Sequence, residues 1–136
     1  MNSFYEMQQT MKKNVSYTGI ILGPADQQKL LSQFRHLIPS TWEPLAHHMT
    51  INLGSASNGP AAAQLGEIAQ LTVISVAQDD KVIAVSVVTN VPSINKKKHI
   101  TLAVNRAGGG KPQHSNNLTN WQTVPPLELH GTIQEA

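Results

Sequence analysis

The sequence contains no cysteine, and charged residues make up only 13% of its 136 residues. Without cysteine the chain has no disulfide, no thiolate nucleophile and no cysteine-ligated zinc, which fits a reducing compartment. The scarcity of charge, together with a hydrophobic content of 40%, predicts a folded chain with a polar but largely uncharged surface. The length is that of one domain with a real core.

The sequence also lacks a strong positive charge and a long apolar run. The formal net charge is +2, so the basic isoelectric point reflects few acidic residues rather than a concentrated basic face. We therefore expect no duplex nucleic acid as a partner. No apolar run is long enough to span a bilayer, and residues 1–14 show no signal peptide. We expect no membrane contact and a cytoplasmic location, which is the host cytoplasm if a phage encodes the protein.

The spacing of apolar residues predicts several strands and one helix. The helix begins at Pro24, carries Leu30 and Phe34 on its apolar side, and ends before Pro39. The remaining pattern predicts strands over 15–22, 47–53, 68–77, 81–89, 99–105 and 127–133. This order is typical of an α+β domain, which we expect to span residues 15–136 after a flexible leader of residues 1–14.

Two of the predicted strands share the pattern His-x-Thr followed by apolar residues. The first contains His48 and Thr50, and the second contains His99 and Thr101. Because side chains alternate along a strand, each histidine shares a face with its threonine. The opposite face of the first strand is predicted to bury Met49, Ile51 and Leu53. By the same alternation His47 is expected to point away from His48, as a structural or partner-facing residue. We expect the fold to bring the two motifs face to face.

Two histidines and two hydroxyl groups suit phosphoryl transfer without a metal ion. A neutral imidazole acts as general base while a protonated one acts as general acid near neutral pH. The threonine hydroxyls donate hydrogen bonds to phosphate oxygens as negative charge develops. No metal-ligand spacing joins the other histidines, so we expect neither a metal nor a cofactor.

The motifs His48-Met49-Thr50-Ile51 and His99-Ile100-Thr101-Leu102 resemble the paired motifs of the two-histidine (2H, LigT-like) phosphoesterase superfamily. The resemblance covers most of residues 15–122. It is closer still to the small phage phosphodiesterases that degrade cyclic oligonucleotide signals in anti-CBASS evasion. It implies a bilobal α+β fold, with antiparallel sheets and flanking helices around a central cleft.

The resemblance also implies residue roles. His48, Thr50, His99 and Thr101 would be catalytic. The substrate-binding residues that it implies are Tyr17, Lys111, Ser115 and Asn116. Trp42 and Lys98 are further expected contacts to the substrate, and for Lys98 the reason is that the charge run Lys96-Lys97-Lys98 could attract a polyanionic substrate to the mouth of the cleft. The chain departs from the family pattern where Lys98 replaces a proline that often precedes the second histidine. Trp42 suits a lid or a packing position.

Three functions fit these residues. The leading hypothesis is metal-independent cleavage of a cyclic dinucleotide or trinucleotide, and the closest alternative is hydrolysis of 2′,3′-cyclic phosphates in RNA repair. The alternative from another class is a catalytically idle sponge that only binds a nucleotide. A sponge does not need both histidines and both threonines, so the motifs favour an enzyme. The sequence leaves the substrate, the linkage and the oligomeric state open.

Overall fold

The computed structural model describes residues 15–136, and the predicted leader lies outside them. One α-helix, α1, spans Pro24–Phe34 and is followed by a 3₁₀ turn at Arg35–Leu37. The seven strands are β1 (Tyr17–Leu22), β2 (Glu43–Pro44), β3 (His48–Leu53), β4 (Ile68–Gln78), β5 (Val82–Val88), β6 (His99–Val104) and β7 (Gln122–Glu135). No helix among the described residues is long and apolar enough to cross a membrane.

All seven strands belong to one antiparallel sheet, in the order β2-β6-β3-β1-β7-β4-β5. Strand β6 also pairs with β5, which closes the sheet into a barrel. The predicted α+β class is confirmed, with an antiparallel sheet and one helix. The expected division into two sheets around a cleft is not present in the described residues, because the β5–β6 pairing joins all strands into a single closed sheet.

The barrel interior holds the hydrophobic core. Side chains from β1, β3, β4, β6 and β7 are fully buried there, including Ile20, Met49, Leu71, Ile100 and Leu129. Helix α1 covers the barrel beside β7, where it buries Leu30 and Phe34. The predicted helix start at Pro24 is confirmed, and the strand alternation of the two His-x-Thr segments correctly predicts Met49 and Ile100 as core residues.

The end of β3 departs from the predicted alternation. Thr18 pairs with Asn52 while Gly19 pairs with Thr50, so Ile51 is an extra residue in a bulge. A bulge exchanges the faces of the residues that follow it. Leu53 is therefore 72% exposed rather than buried, and Asn52 is buried in its place. The predicted burial of Leu53 is wrong for this reason.

A second irregularity precedes β3. Pro44 pairs with Ala103, and Met49 pairs with Ile100. The segment from Pro44 to Met49 therefore contains two more residues than the stretch of β6 beside it, from Ile100 to Ala103. The excess is taken up around Ala46, whose φ of 49° lies in the left-handed region. The chain is not extended there, so strand alternation does not apply to the residue that follows.

Candidate active site

The two His-x-Thr motifs lie side by side on the outer face of the barrel. Strands β3 and β6 are antiparallel, and Met49 faces Ile100. Continuing this register places His48 across from Thr101 and Thr50 across from His99. The apolar partners point into the barrel, so the four polar side chains share its outer surface. The expected meeting of the two motifs is confirmed.

His99 is oriented by a backbone hydrogen bond. Its side chain is buried, with 8% of the residue exposed. Its Nδ1 lies 2.8 Å from the carbonyl oxygen of Lys97. A carbonyl only accepts hydrogen bonds, so Nδ1 carries the proton and donates it. The other ring nitrogen, Nε2, is left for proton transfer. Burial lowers the pKa of His99, and the hydrogen bond to Lys97 partly opposes that shift.

His48 is held between two aromatic rings. The ring of Tyr17 stacks on it at a centroid distance of 4.2 Å and an angle of 19°. The ring of His47 meets it edge-on at 5.2 Å. The Tyr17 hydroxyl and His47 Nδ1 lie 3.3 Å and 3.1 Å from His48 Nδ1. The prediction that His47 points away from His48 is wrong, because the extra residues around Ala46 turn His47 onto the same side.

The surroundings of His48 favour its neutral form. Burial, the largest cause, and repulsion from His47 and His99 together lower its pKa from 6.5 to about 4. His48 and His99 therefore both start neutral at pH 7. Among the described residues, no three His, Asp or Glu side chains lie close enough to share a metal ion.

Gly19 lets β1 approach the backbone of β3 closely beside the stacked rings. Tyr17 and Gly19 lie on the same side of β1, two residues apart, and Gly19 pairs with Thr50. A β-carbon at Gly19 would lie 3.5 Å from Cδ2 of His48 and 2.7 Å from the carbonyl oxygen of Met49. The second distance is a clash with backbone. The absent side chain therefore allows β1 to approach β3 closely while Tyr17 covers His48.

The two threonines differ in their hydrogen bonds. The Thr101 hydroxyl lies 2.8 Å from Oγ of the buried Ser115, and it donates to the carbonyl oxygen of Pro112 at 3.3 Å. The Thr50 hydroxyl makes no hydrogen bond to another residue in the range 15–136. The Thr50 hydroxyl is thus free to donate to a ligand. The Thr101 hydroxyl has to give up its bond to the carbonyl oxygen of Pro112 before it can donate to a ligand.

Two surface pockets lie on either side of His99 and share its side chain. The first, here called the lysine pocket, has a volume of about 380 Å³ and is lined by His99, Lys96, Lys97, Ser115, Asn116, Leu118 and Trp121. The second, here called the amide pocket, has a volume of about 390 Å³ and is lined by His99, Thr50, Leu53, Ile94, Asn95, Pro112, Gln113 and Asn116. Each volume is near the lower end of the range for small-molecule sites.

The comparison with protein families agrees with this geometry. The model of the fungal tRNA ligase phosphodiesterase domain matches residues 31–135, which include both His-x-Thr motifs and both pockets. The chain belongs to this family. The domain is a cyclic phosphodiesterase of the 2H phosphoesterase superfamily, so the predicted superfamily and the predicted class of enzyme are confirmed. The comparison with curated proteins finds no match. The closer likeness to phage anti-CBASS enzymes stays a prediction.

Three of the six predicted substrate-binding residues lie at the paired motifs of this phosphodiesterase domain. Tyr17 stacks on His48. Ser115 contacts the Thr101 hydroxyl and lines the lysine pocket. Asn116 lines both pockets. Their position is as predicted, and their part in binding substrate stays a prediction.

The other three predicted residues lie elsewhere. Trp42 packs against the core in a groove beside α1. It precedes β2, which pairs with the Val104 end of β6, and His99 is at the opposite end of that strand. The ammonium group of Lys98 donates to the carbonyl oxygen of Thr89, away from the pockets. Lys111 is exposed and lines neither pocket. The structure does not bring these three side chains to the paired motifs.

The lysines that do line a pocket beside the paired motifs are Lys96 and Lys97. The ammonium group of Lys97 lies 5.1 Å from the ring centre of Trp121. The run of three lysines at 96–98 is the sequence signal that points to Lys96 and Lys97. Both lie in the bend before β6, which brings their side chains to the lysine pocket, whereas Lys98 reaches the carbonyl oxygen of Thr89.

Proposed function

We propose that this protein hydrolyses 2′,3′-cyclic phosphates of RNA ends or nucleotides by acid–base catalysis between His48 and His99, without a metal ion. The observation that carries the proposal is the pairing of Met49 with Ile100, which sets both histidines and both threonines on one outer surface. The family supports it, since the matching model describes a tRNA ligase phosphodiesterase domain.

The proposed reaction needs a general base that removes a proton from water and a general acid that protonates the leaving oxygen. A water oxygen attacks the phosphorus of the cyclic phosphate, and one imidazole removes the proton of that water. The bond from phosphorus to one ribose oxygen breaks, and the other imidazole, in its protonated form, supplies a proton to the leaving oxygen. The products are a phosphate monoester and a free ribose hydroxyl, so atoms and charge balance.

The bound phosphate supplies the charge that creates the acid. Burial lowers the pKa values of His48 and His99 in the free protein. A phosphate anion beside an imidazole favours its charged form and raises its pKa again. Substrate binding thus promotes protonation of one imidazole. The backbone bond from His99 Nδ1 to Lys97 directs Nε2 of His99 to the reaction.

The hydroxyl groups complete the proposed site. Thr50, which is free to donate, would hold one non-bridging phosphate oxygen. Thr101 would turn its proton from the carbonyl of Pro112 to a second oxygen, while Ser115 keeps its place by hydrogen bonding to Thr101. Tyr17 packs against the ring of His48 and fixes its plane.

Cleavage of a cyclic oligonucleotide, the leading hypothesis from the sequence, uses the same four residues on a 3′–5′ linkage. The lysine pocket favours keeping it as the second candidate, because a cyclic dinucleotide carries another phosphate beyond the one attacked. The two candidates differ only in which phosphodiester reaches His48 and His99.

The test is a panel of substrates with products identified by mass. The panel contains adenosine 2′,3′-cyclic monophosphate, a short RNA ending in a 2′,3′-cyclic phosphate, and cyclic di- and trinucleotides, each with and without EDTA. We expect cleavage of the first two, no inhibition by EDTA, and loss of turnover in His48→Asn and His99→Asn. The control is His36→Asn, an exposed histidine beyond α1. Inhibition by EDTA, or binding without cleavage of any compound, contradicts the proposal.

A further inference from the structure

The lysine pocket has a chemistry that the cleavage reaction does not use. It extends from His99 to Trp121 on the side away from Thr50, and its rim carries the exposed side chains of Lys96 and Lys97. Neither lysine side chain hydrogen-bonds to a protein group among residues 15–136. Two ammonium groups with no protein acceptor beside a reactive histidine suit a ligand with negative charge.

The position of Lys97 is defined by its neighbours. Its carbonyl oxygen accepts the hydrogen bond from His99 Nδ1. Its ammonium group lies 5.1 Å from the centre of the Trp121 ring, within the range of a cation–π contact. The indole is itself fixed, because its Nε1 donates to the carbonyl oxygen of Leu118 at 3.2 Å. Trp121 therefore holds the charge of Lys97 over the pocket.

The amide pocket on the other side of His99 has a different character. Apart from His99 itself, its lining contains no ionisable side chain. It offers the exposed apolar side chains of Leu53 and Ile94, which are 72% and 57% exposed. It also offers the side-chain amides of Asn95 and Gln113. Apolar surface with amide groups suits an uncharged nucleobase rather than a phosphate.

We propose that the lysine pocket is a subsite for a second phosphate group of the substrate, one that is not cleaved. This inference rests on the proposed function and names its substrate class. The attacked phosphate lies at His48 and His99, the base of that nucleotide occupies the amide pocket, and the next phosphodiester contacts Lys96 and Lys97. An RNA end and a cyclic oligonucleotide both carry such a phosphate. A nucleoside 2′,3′-cyclic monophosphate does not.

The experiment compares substrates that differ by that one phosphate. The pair is adenosine 2′,3′-cyclic monophosphate and the dinucleotide ApA ending in a 2′,3′-cyclic phosphate, and cyclic di-AMP tests the other source of a second phosphate. We expect a higher kcat/KM for the dinucleotide. Replacing both lysines, Lys96→Gln with Lys97→Gln, should lower the dinucleotide-to-mononucleotide ratio of kcat/KM by roughly tenfold, which two exposed charge contacts can supply.

The control is Lys29→Gln, which removes one positive charge on α1, where the ammonium group donates to the carbonyl oxygen of Glu128. It should leave the substrate ratio unchanged, and added salt should lower the ratio only in proteins that keep Lys96 and Lys97. An equal kcat/KM for both substrates in the wild type overturns the inference, as does an unchanged ratio in the double variant.

Failure of the proposed function gives a different result from failure of the subsite. In that case neither the mononucleotide nor the dinucleotide is hydrolysed. Equilibrium binding of the same compounds then decides the subsite, with tighter binding of the dinucleotide that depends on Lys96 and Lys97 as the supporting result. Equal affinities for both compounds would overturn it.

Discussion

The burial of His48 has a measurable effect on stability. The pKa of this side chain is lowered from 6.5 to about 4 in the folded protein. Between these two values the unfolded chain binds a proton at His48 and the folded protein does not. The contribution of His48 to the free energy of unfolding is therefore full above pH 6.5 and is lost as the pH falls towards 4.

The size of the loss follows from the two pKa values. At pH 5 an unfolded histidine is almost fully protonated, whereas folded His48 is mostly neutral. The difference amounts to about 2 kcal/mol between pH 7 and pH 5, at about 1.4 kcal/mol for each unit of pKa. His48 keeps some contact with solvent, which screens its charge and lowers the expected loss towards about 1 kcal/mol.

The assay is urea unfolding of the wild type and of His48→Asn, each at pH 7 and pH 5. Asparagine does not titrate. Any stability that the substitution loses through poorer packing is therefore the same at both pH values and cancels in the comparison. The wild type should lose about 1–2 kcal/mol more than the variant between the two pH values. The same substitution at His36, an exposed histidine, is the control. An equal loss in the wild type and His48→Asn would refute the account of a buried neutral His48.

Three other predictions concern the site and its support. Replacing His99 with Asn should lower kcat by roughly 10²- to 10⁴-fold, as is typical when a general acid or base is removed; a smaller loss in a steady-state assay would contradict that role. The pH profile of kcat/KM should be bell-shaped with its maximum below pH 6.5, because the pKa values of His48 and His99 are both lowered in the free protein. A flat profile from about pH 5 to 9 would argue against paired histidines. Gly19→Ala should destabilise the fold by about 1–3 kcal/mol, since its β-carbon would lie 2.7 Å from the carbonyl oxygen of Met49; thermal unfolding measures this, and Gly23→Ala, where a β-carbon meets nothing within 4 Å, is the control.

Much of the local structure was predictable because it depends on short-range patterns. The proline at Pro24 and the helical spacing of Leu30 and Phe34 mark α1, and the alternation of polar and apolar residues marks β3 and β6. The pairing of the two motifs was also predictable, since two strands with matching apolar faces bury them most readily in one core.

The errors lie where the chain is irregular. The faces of His47 and Leu53 depend on extra residues around Ala46 and at Ile51, and a regular alternation does not include them. Lys98 lies away from the pockets for a different reason. The run of three lysines did not distinguish its members, and only the bend before β6 brings Lys96 and Lys97, rather than Lys98, to the pocket beside His99.

The sequence by itself determined which side chains form the candidate site, because two His-x-Thr motifs on strands with buried opposite faces specify which side chains face outward. Only the tertiary structure decided how those side chains are surrounded. The closure of the sheet by β5 and β6, the stacking of Tyr17 on His48 and the two unlike pockets beside His99 all join residues far apart in the chain. Such contacts depend on register and bulges that are settled by packing between strands, and no local pattern encodes them.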